Sequence, residues 1–365
     1  MKEETIKKLR EKIERTDRDI VRLLDERAAV SIEIGRAKLD AGLEIYDPAR
    51  EAMVYRQLAG INGGVLPEAP LRAIFREIIS ASRAIQAPIE VAFLGPEASF
   101  SHQAALAHFG STIIPRTKVT IQDVFTDVEK GSNGRWGIVP VENSAEGSVK
   151  ATLDRLISTP LEIRAEVYLR IRQCLLAACS RMDEIQRVYS HPQALAQCQG
   201  WLRTRLPGIP LVEVESTAGA ARRIQEDKTG AAVGSALAAQ VYNLGLLAEG
   251  IEDNPANTTR FIVIGPKAER DHGGITGRDK TSILFGTPHL PGSLHRALEP
   301  FAQAGINLMR IESYPARERI WEYLFFADFA GHTADPETER CLDALKDRTA
   351  YLKVLGSYPR GEELP

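Results

Sequence analysis

The chain has 365 residues, 44% apolar and 26% charged, with a formal net charge of −3. This length allows two or three domains with full cores, and the near-balanced charge excludes an overall basic field for nucleic acid or an anionic membrane. The four cysteines, Cys174, Cys179, Cys198 and Cys341, form no Cys-x-x-Cys pair, so neither a zinc cage nor a redox motif is expected, and a reducing compartment fits. No apolar run approaches the ~20 residues of a membrane span, and the opening MKEETIKKLREKIE has no apolar signal core. A cytoplasmic location is therefore expected.

Residues 1–88 read as helix. In the first helix, Ile6, Leu9, Ile13, Ile20, Leu23, Val30 and Ile34 recur at three-four spacing, predicting a helix that runs to about Leu39. Asp47-Pro48 announces a second helix as N-cap and first-turn proline, and the Gly- and Pro-rich stretch 61–70 ends it. A third carries Leu71, Ile74, Phe75, Ile78, Ile79 and Ile85 on one stripe. Arg27 continues the seam of the first helix, and Ser82 and Gln86 continue the stripe of the third. Buried charge is costly unless paired, so these intrusions predict either internal polar networks or an anionic ligand held between facing helices. Arg27 and Lys38 share a face about 16 Å apart, where long side chains can converge on a small dianion. Arg10 is nearly in phase with Lys38 but about 42 Å away. If both touch one ligand, Arg10 must come from a second chain in an antiparallel homodimer.

Residues 89–268 alternate short apolar runs with helical segments. Strands are predicted at 89–95, 136–143, 185–191, 209–216 and 229–235, which implies α/β architecture with largely parallel sheets. Ligands in such sheets lie beyond the strand carboxyl ends, near helix N-termini. The candidates there are Ser99, Ser101, Glu142 to Ser144, Ser190, His191, Ser216, Thr217 and Ser235. Their hydroxyl and amide groups suit a small polar anion. There is no G-x-G-x-x-G, no P-loop and no histidine pair at metal spacing, so no cofactor or metal is expected, and His102 and His108 read as structural or exposed. Two lobes around an anion also describe non-catalytic solute-binding proteins. After a polar, Gly-rich linker at 268–279, residues 280–362 read β-α-β-β-α-β, the ferredoxin-like plan.

Three resemblances follow from these residues. LREKIERTDRDIVRLLDERAAVSIEIGRAK (9–38), DPARE (47–51) and SASRAIQ (80–86) resemble the all-helical chorismate mutases. The match implies ligand contacts from Arg10, Arg27, Lys38, Asp47, Arg50, Glu51, Ser82 and Gln86. Chorismate rearranges by a pericyclic shift, so such a site only holds the reactive conformer and stabilises charge on the breaking ether. Arginines would clamp the two carboxylates, Lys38 and Gln86 would donate to the ether oxygen, and Glu51 would meet the ring hydroxyl or, if protonated, the ether side.

GPEASFSHQAA (95–105), PVENS (140–144), YSHPQALAQC (189–198), ESTAGAA (215–221), AAVGS (231–235) and NTTRF (257–261) resemble prephenate dehydratase in family order. Ala98-Ser99 stands where Gly-Thr is common. The family implies two α/β lobes with prephenate between them, Thr259 as the catalytic hydroxyl, and Asn143, Ser190, Gln197 and Arg260 as positioning groups. Glu142 is the rival proton donor if burial raises its pKa.

The last module resembles an ACT domain. GSL (292–294) and ESYP (312–315) match its effector motifs, implying phenylalanine contacts at Gly292, Ser293, Leu294, Glu312 and Ser313. Tyr314 stands where a cation is usual, with Arg317 near enough to replace it. The expectation is a multidomain enzyme: an all-α mutase (1–88), a two-lobed α/β dehydratase (89–268) and an α+β ferredoxin-like regulatory module (280–362). It would act on chorismate and prephenate, feed back on phenylalanine, and assemble as a dimer or tetramer. Arogenate as the dehydratase substrate and a catalytically silent sensor are the alternatives.

Overall fold

The structure is a computed structural model describing residues 2–131, 135–267, 274–315 and 323–361, with the backbone of 363 and 364. Helix α1 spans Lys2–Asp40, α2 Pro48–Ile61 and α3 Glu68–Ala84. The Asp47 carboxylate accepts the Arg50 N–H at 2.9 Å with Pro48 in the first turn, so one orphan helix donor is satisfied as its sequence predicts. Helices α1 and α3 approach closely at Gly35, where a Cβ would fall 2.6 Å from Gln86 Cγ. Within α1, only Ser31 and Gly35 are buried. Its apolar seam is not a packed core in the single chain: Ile6, Leu9, Ile13, Ile20, Leu23, Val30 and Ile34 remain between 48% (Ile20) and 61% (Ile13) exposed.

The central module begins with β1 (Glu90–Leu94), α4 (Phe100–Phe109), β2 (Ile114–Lys118), α5 (Ile121–Lys130), β3 (Arg135–Asn143), β4 (Gly147–Ser148), α6 (Lys150–Ser158) and β5 (Glu162–Arg170). The chain then crosses to a smaller lobe of β6 (Cys174–Ala177), β7 (Arg187–Ser190), α7 (Pro192–Gln197), α8 (Gln199–Arg205), β8 (Leu211–Glu213), α9 (Thr217–Arg223), β9 (Gly230–Gly234), α10 (Ala236–Val241) and β10 (Gly245–Glu249). It returns through β11 (Thr258–Gly265). The large sheet runs β16-β5-β11-β3-β1-β2, its first strand being the short C-terminal β16 (Glu363–Leu364), and the small one runs β10-β6-β9-β7-β8. The sheets are mixed, which corrects the largely parallel expectation. The βαβ units keep β2-β1-β3 and β8-β7-β9 parallel. The strands that leave and re-enter each lobe pair antiparallel: β11 between β3 and β5, and β6 between β9 and β10. A chain crossing between two lobes twice must return in the opposite sense.

The C-terminal module is β12 (Asp279–Gly286), α11 (Ser293–Gln303), β13 (Leu308–Pro315), β14 (Tyr323–Ala330), α12 (Pro336–Lys346) and β15 (Tyr351–Pro359), with sheet order β13-β14-β12-β15. This is the expected β-α-β-β-α-β plan. Its strands bury both faces. Ile283, Phe285, Ala327 and Phe329 pack with Phe301 and Leu345 of its own helices. The alternate residues Leu284, Phe326, Tyr314 and Leu355 share a core with Val139, Val141, Ile163, Ile262 and Ile264 of the large lobe. Period-two alternation directs successive side chains to opposite faces, and each buried Leu or Phe contributes about 1.5–3 kcal/mol. Beyond β15 the chain ends in β16, which runs parallel to β5 at the edge of the large sheet.

Candidate active sites

In the helical module, Arg27, Ser82 and Gln86 come together between α1 and α3. The Arg27 guanidinium donates to Ser82 Oγ, which donates to Ile78 O at 2.7 Å. The Gln86 amide donates to Ser82 O at 3.0 Å. One turn beyond Gly35, Lys38 Nζ donates to Ile45 O at 3.0 Å. Glu51 lies 3.1 Å from Arg83 Nη1. Burial pushes the Glu51 carboxyl above its ordinary range, against the pull of Arg83. Glu51 also walls a cavity of about 390 Å³ with Tyr55, Arg72, Arg76 and His108, whereas Arg27, Lys38, Ser82 and Gln86 lie outside that wall. Asp47 spends its carboxylate as the α2 cap, and Arg50 is exposed. Arg10 is exposed on the free half of α1.

In the central module, β3 and β11 place Asn143 and Thr259 as register partners. Asn143 Nδ2 donates to Thr259 Oγ1 at 2.7 Å and to Asn257 Oδ1 at 2.9 Å. Its Oδ1 accepts the N–H groups of Ala145 (2.9 Å) and Glu146 (3.2 Å). Backbone amides only donate, so the amide orientation is fixed. Thr259 Oγ therefore accepts from Asn143, which leaves its own proton free for another acceptor. Sequence reasoning misses Asn257, although it opens the NTTRF motif.

Several strand-closing hydroxyls are helix caps. Ser99, Ser216 and Ser235 accept the N–H groups of His102, Gly219 and Ala238. His191 caps α7 through Nδ1, as a backbone-bonded turn residue would. His102 is structural: it is stacked on Phe93, accepts the Ala98 N–H, and burial pushes its pKa down. Gln197 accepts from Gln173 at 3.4 Å, and Gln173 Oε1 is buried without a partner beside the lobe crossing. Gln193 of α7 donates to Glu146 of the large lobe, an exposed bond between the two lobes.

Three of the expected site residues have other partners in this structure. Ser190 is fully buried, with its hydroxyl donated to Val233 O at 2.7 Å; it ties β7 to β9 and does not face the cleft. Arg260 follows Thr259 on a strand, so its side chain takes the opposite face. There it is buried, 2.8 Å from Glu166 Oε2, paired with Asp328, and 3.0 Å from the Tyr358 hydroxyl. It belongs to the contact with the C-terminal module. Glu142 lacks the burial on which its donor role depended: its side chain is 39% exposed and 3.2 Å from Arg310 Nε.

In the C-terminal module, Gly292 holds φ +76 before α11, a conformation open to glycine at little cost. Ser293 is buried and accepts from Arg296 at 3.2 Å. Leu294 packs against the apolar core of its own module. Ser313 is exposed, whereas Glu312 is turned onto Ser148 of β4. Tyr314 is also turned inward and donates to Asp154 Oδ1 at 2.6 Å. Arg317 lies outside the described residues.

A prephenate dehydratase family model matches residues 91–269, a chorismate mutase type II model residues 9–87 and an ACT domain model residues 281–347. The bifunctional chorismate mutase/prephenate dehydratase of Aquifex aeolicus is 45% identical over 361 residues, covering 98% of each chain. Among solved structures, the prephenate dehydratase of Arthrobacter aurescens in complex with L-Phe is 33% identical with a TM-score of 0.69, over 76% of this chain and 92% of that one. GqqA, described as a novel type of quorum quenching acylase, is 32% identical with a TM-score of 0.68, over 74% and 98%. With three family models in order and a relative matched from end to end, this chain belongs to the bifunctional chorismate mutase/prephenate dehydratase family and is an enzyme carrying both catalytic modules.

Proposed function

We propose that residues 1–88 rearrange chorismate in a site shared by two chains, that residues 89–268 dehydrate prephenate, and that residues 280–362 bind phenylalanine as a feedback effector. In the first site Arg27, Arg50 and the partner chain's copy of Arg10 hold the carboxylates. Lys38 and Gln86 face the ether, with Ser82 setting the Arg27 fork, Asp47 holding the start of α2 and Glu51 contributing a carboxyl that burial keeps closer to its neutral form. The exposed apolar seam of α1 supports the homodimer, since an apolar patch of that length calls for a partner. Buried free thiols fit a cytoplasmic setting.

In the second site, the carboxylate on the prephenate ring leaves as carbon dioxide. The electron pair of the broken C–C bond enters the ring and expels the ring hydroxyl, which departs as water on receiving a proton. The single observation that carries the assignment is the Asn143–Thr259 hydrogen bond, which leaves the Thr259 proton available. Asn143 and Gln197 position the substrate. Glu142 is left as an ion-pair partner, and Gly292, Ser293, Leu294, Glu312 and Ser313 remain the effector contacts, with Glu312 held on Ser148 and Arg310 in this structure.

The test is incubation of the pure protein with chorismate alone, following prephenate and phenylpyruvate. Both products appear with the parent chain, and Thr259→Ala stops at prephenate. Near-normal phenylpyruvate formation by Thr259→Ala would remove the Thr259 role. Calorimetry without heat of phenylalanine binding to the intact assembly would remove the effector role.

A further inference from the structure

The C-terminal module reaches the β3–β4 hairpin beside the dehydratase site through Arg310 and Glu312 of β13. Arg310 on β13 has Nε 3.2 Å from Glu142 Oε2. Its Nη2 donates to Ser148 Oγ at 2.8 Å and to Glu312 Oε2. Ser148 Oγ also donates to Glu312. Glu142 and Ser148 are register partners across the β3–β4 hairpin, and the next pair is Asn143 with Gly147. The guanidinium thus grips both strands of a hairpin whose following residue, Asn143, holds the Thr259 hydroxyl.

Only two register pairs join these strands, and the turn needs Gly147 at φ +81. So short a ladder gives the β4 arm little stiffness of its own, whereas β3 is held on its other edge by β11. The Arg310 side chain is 14% exposed, and charge-assisted bonds in such a setting are strong and directional. We propose that Arg310 is a positioning residue for the dehydratase reaction: it acts from the regulatory module through Glu142 and Ser148 to aim Asn143 at Thr259. Because Arg310 shares its guanidinium with Glu312, an event that draws Glu312 away alters the same clamp. The inference rests on the dehydratase assignment of Asn143 and Thr259.

The experiment uses the full-length chain with Arg310→Met and Arg310→Lys, and measures chorismate rearrangement and prephenate dehydration on the same samples. Displacing a catalytic group by about 1 Å costs on the order of 10²-fold. The expected result for Arg310→Met is therefore a dehydratase kcat lowered about 10- to 100-fold, with KM changed less than about 3-fold and mutase turnover unchanged. Arg310→Lys keeps a cation but has no fork to span Glu142 and Ser148, and is expected to recover part of the lost kcat. An Arg310→Met protein with parental kcat overturns the inference. If Arg310→Met does not fold, Arg310→Lys decides, because parental kcat and parental phenylalanine inhibition in that variant overturn it equally. A parent chain that makes prephenate but never phenylpyruvate overturns the dehydratase assignment itself, a result distinct from an insensitive Arg310.

Discussion

The amide of Asn143 has no freedom to reverse, because two backbone N–H groups hold its oxygen. Asn143→Asp keeps the shape and those two bonds but replaces the donor facing Thr259 with an acceptor. The Thr259 hydroxyl would then donate its hydrogen bond to the new carboxylate on β3 and no longer point its proton at the departing hydroxyl. Dehydratase kcat is expected to fall by about 10²-fold or more, the usual weight of a positioned proton donor, with mutase turnover intact; steady-state assays of both reactions check it. A second residue, His108, lies between modules, bonded to the Tyr46 hydroxyl and edge-on to Phe109. Burial, with Arg83 and Arg72 adding to it, pushes its pKa down to about 3. A depressed folded-state pKa means the stabilisation is present above the unfolded value, about 6.5, and is lost as pH falls below it. Between pH 7 and 5 the loss is on the order of 1 kcal/mol, allowing for the part of the ring that faces the cavity. His108→Gln should flatten that acid limb, read as the thermal midpoint measured across this pH range. These residue roles are only partly legible in the sequence. Motif order points to Asn143 and Thr259, but what Arg260 pairs with on the opposite face of its strand, and what Ser190 bonds to, depend on neighbours distant in sequence.

At the scale of elements, the helices are legible because a 3.6-residue period, an Asp-Pro cap and a Gly/Pro loop all act locally. The same holds for the βαβ strands, each a short apolar run. The antiparallel insertion of β11 between β3 and β5 is not, since pairing partners chosen across a lobe crossing leave no local signal. Helix α1 gives the clearest element-scale test. Its seam reads as a packing face, yet in one chain it packs on nothing for most of its length. If it packs on a second α1 running the other way, Arg10 of one chain completes the site containing Lys38 of the other. Arg10→Ala and Lys38→Ala homodimers should then each lack mutase activity. Mixed and refolded in equal amounts, they should regain about a quarter of it: half the dimers are hybrids, and a two-fold hybrid holds one intact site of two. No recovery in a sample shown by mass to contain hybrids would refute the crossing.

At the scale of the whole molecule, a buried polar network joins the large lobe to the C-terminal sheet alongside the Arg310 clamp and the shared apolar core. Glu166 on β5, Arg260 on β11, and Lys280, Ser282, Asp328 and Tyr358 of the C-terminal sheet form one buried network. Two cations balance two carboxylates. The sequence shows the two-sided apolar strands but not this network, because its members are separated by up to 192 positions, Glu166 to Tyr358, and nothing local to any one of them names its partners. Burial by itself would raise the Asp328 pKa, but Arg260 and the Ser282 hydroxyl outweigh it and hold the carboxyl below its ordinary value. Its contribution is therefore present above the unfolded carboxylate range and is lost as pH falls through the lowered value. Asp328→Ala leaves Arg260 and Lys280 to share the single carboxylate of Glu166 in a dry contact, an imbalance that costs up to about 3–5 kcal/mol. Asp328→Asn, which keeps an acceptor for Arg260 and Ser282, should cost less. Because Arg260 is covalently next to Thr259, the loss is expected to appear first as a lower melting temperature of the dehydratase and C-terminal modules together, with dehydratase turnover falling alongside. The helical module makes no bond to Asp328 among the described residues, so mutase activity should survive below that transition. Differential scanning calorimetry with both assays decides it. A lowered transition with dehydratase turnover untouched would mean that the network fastens the modules without bearing on Thr259.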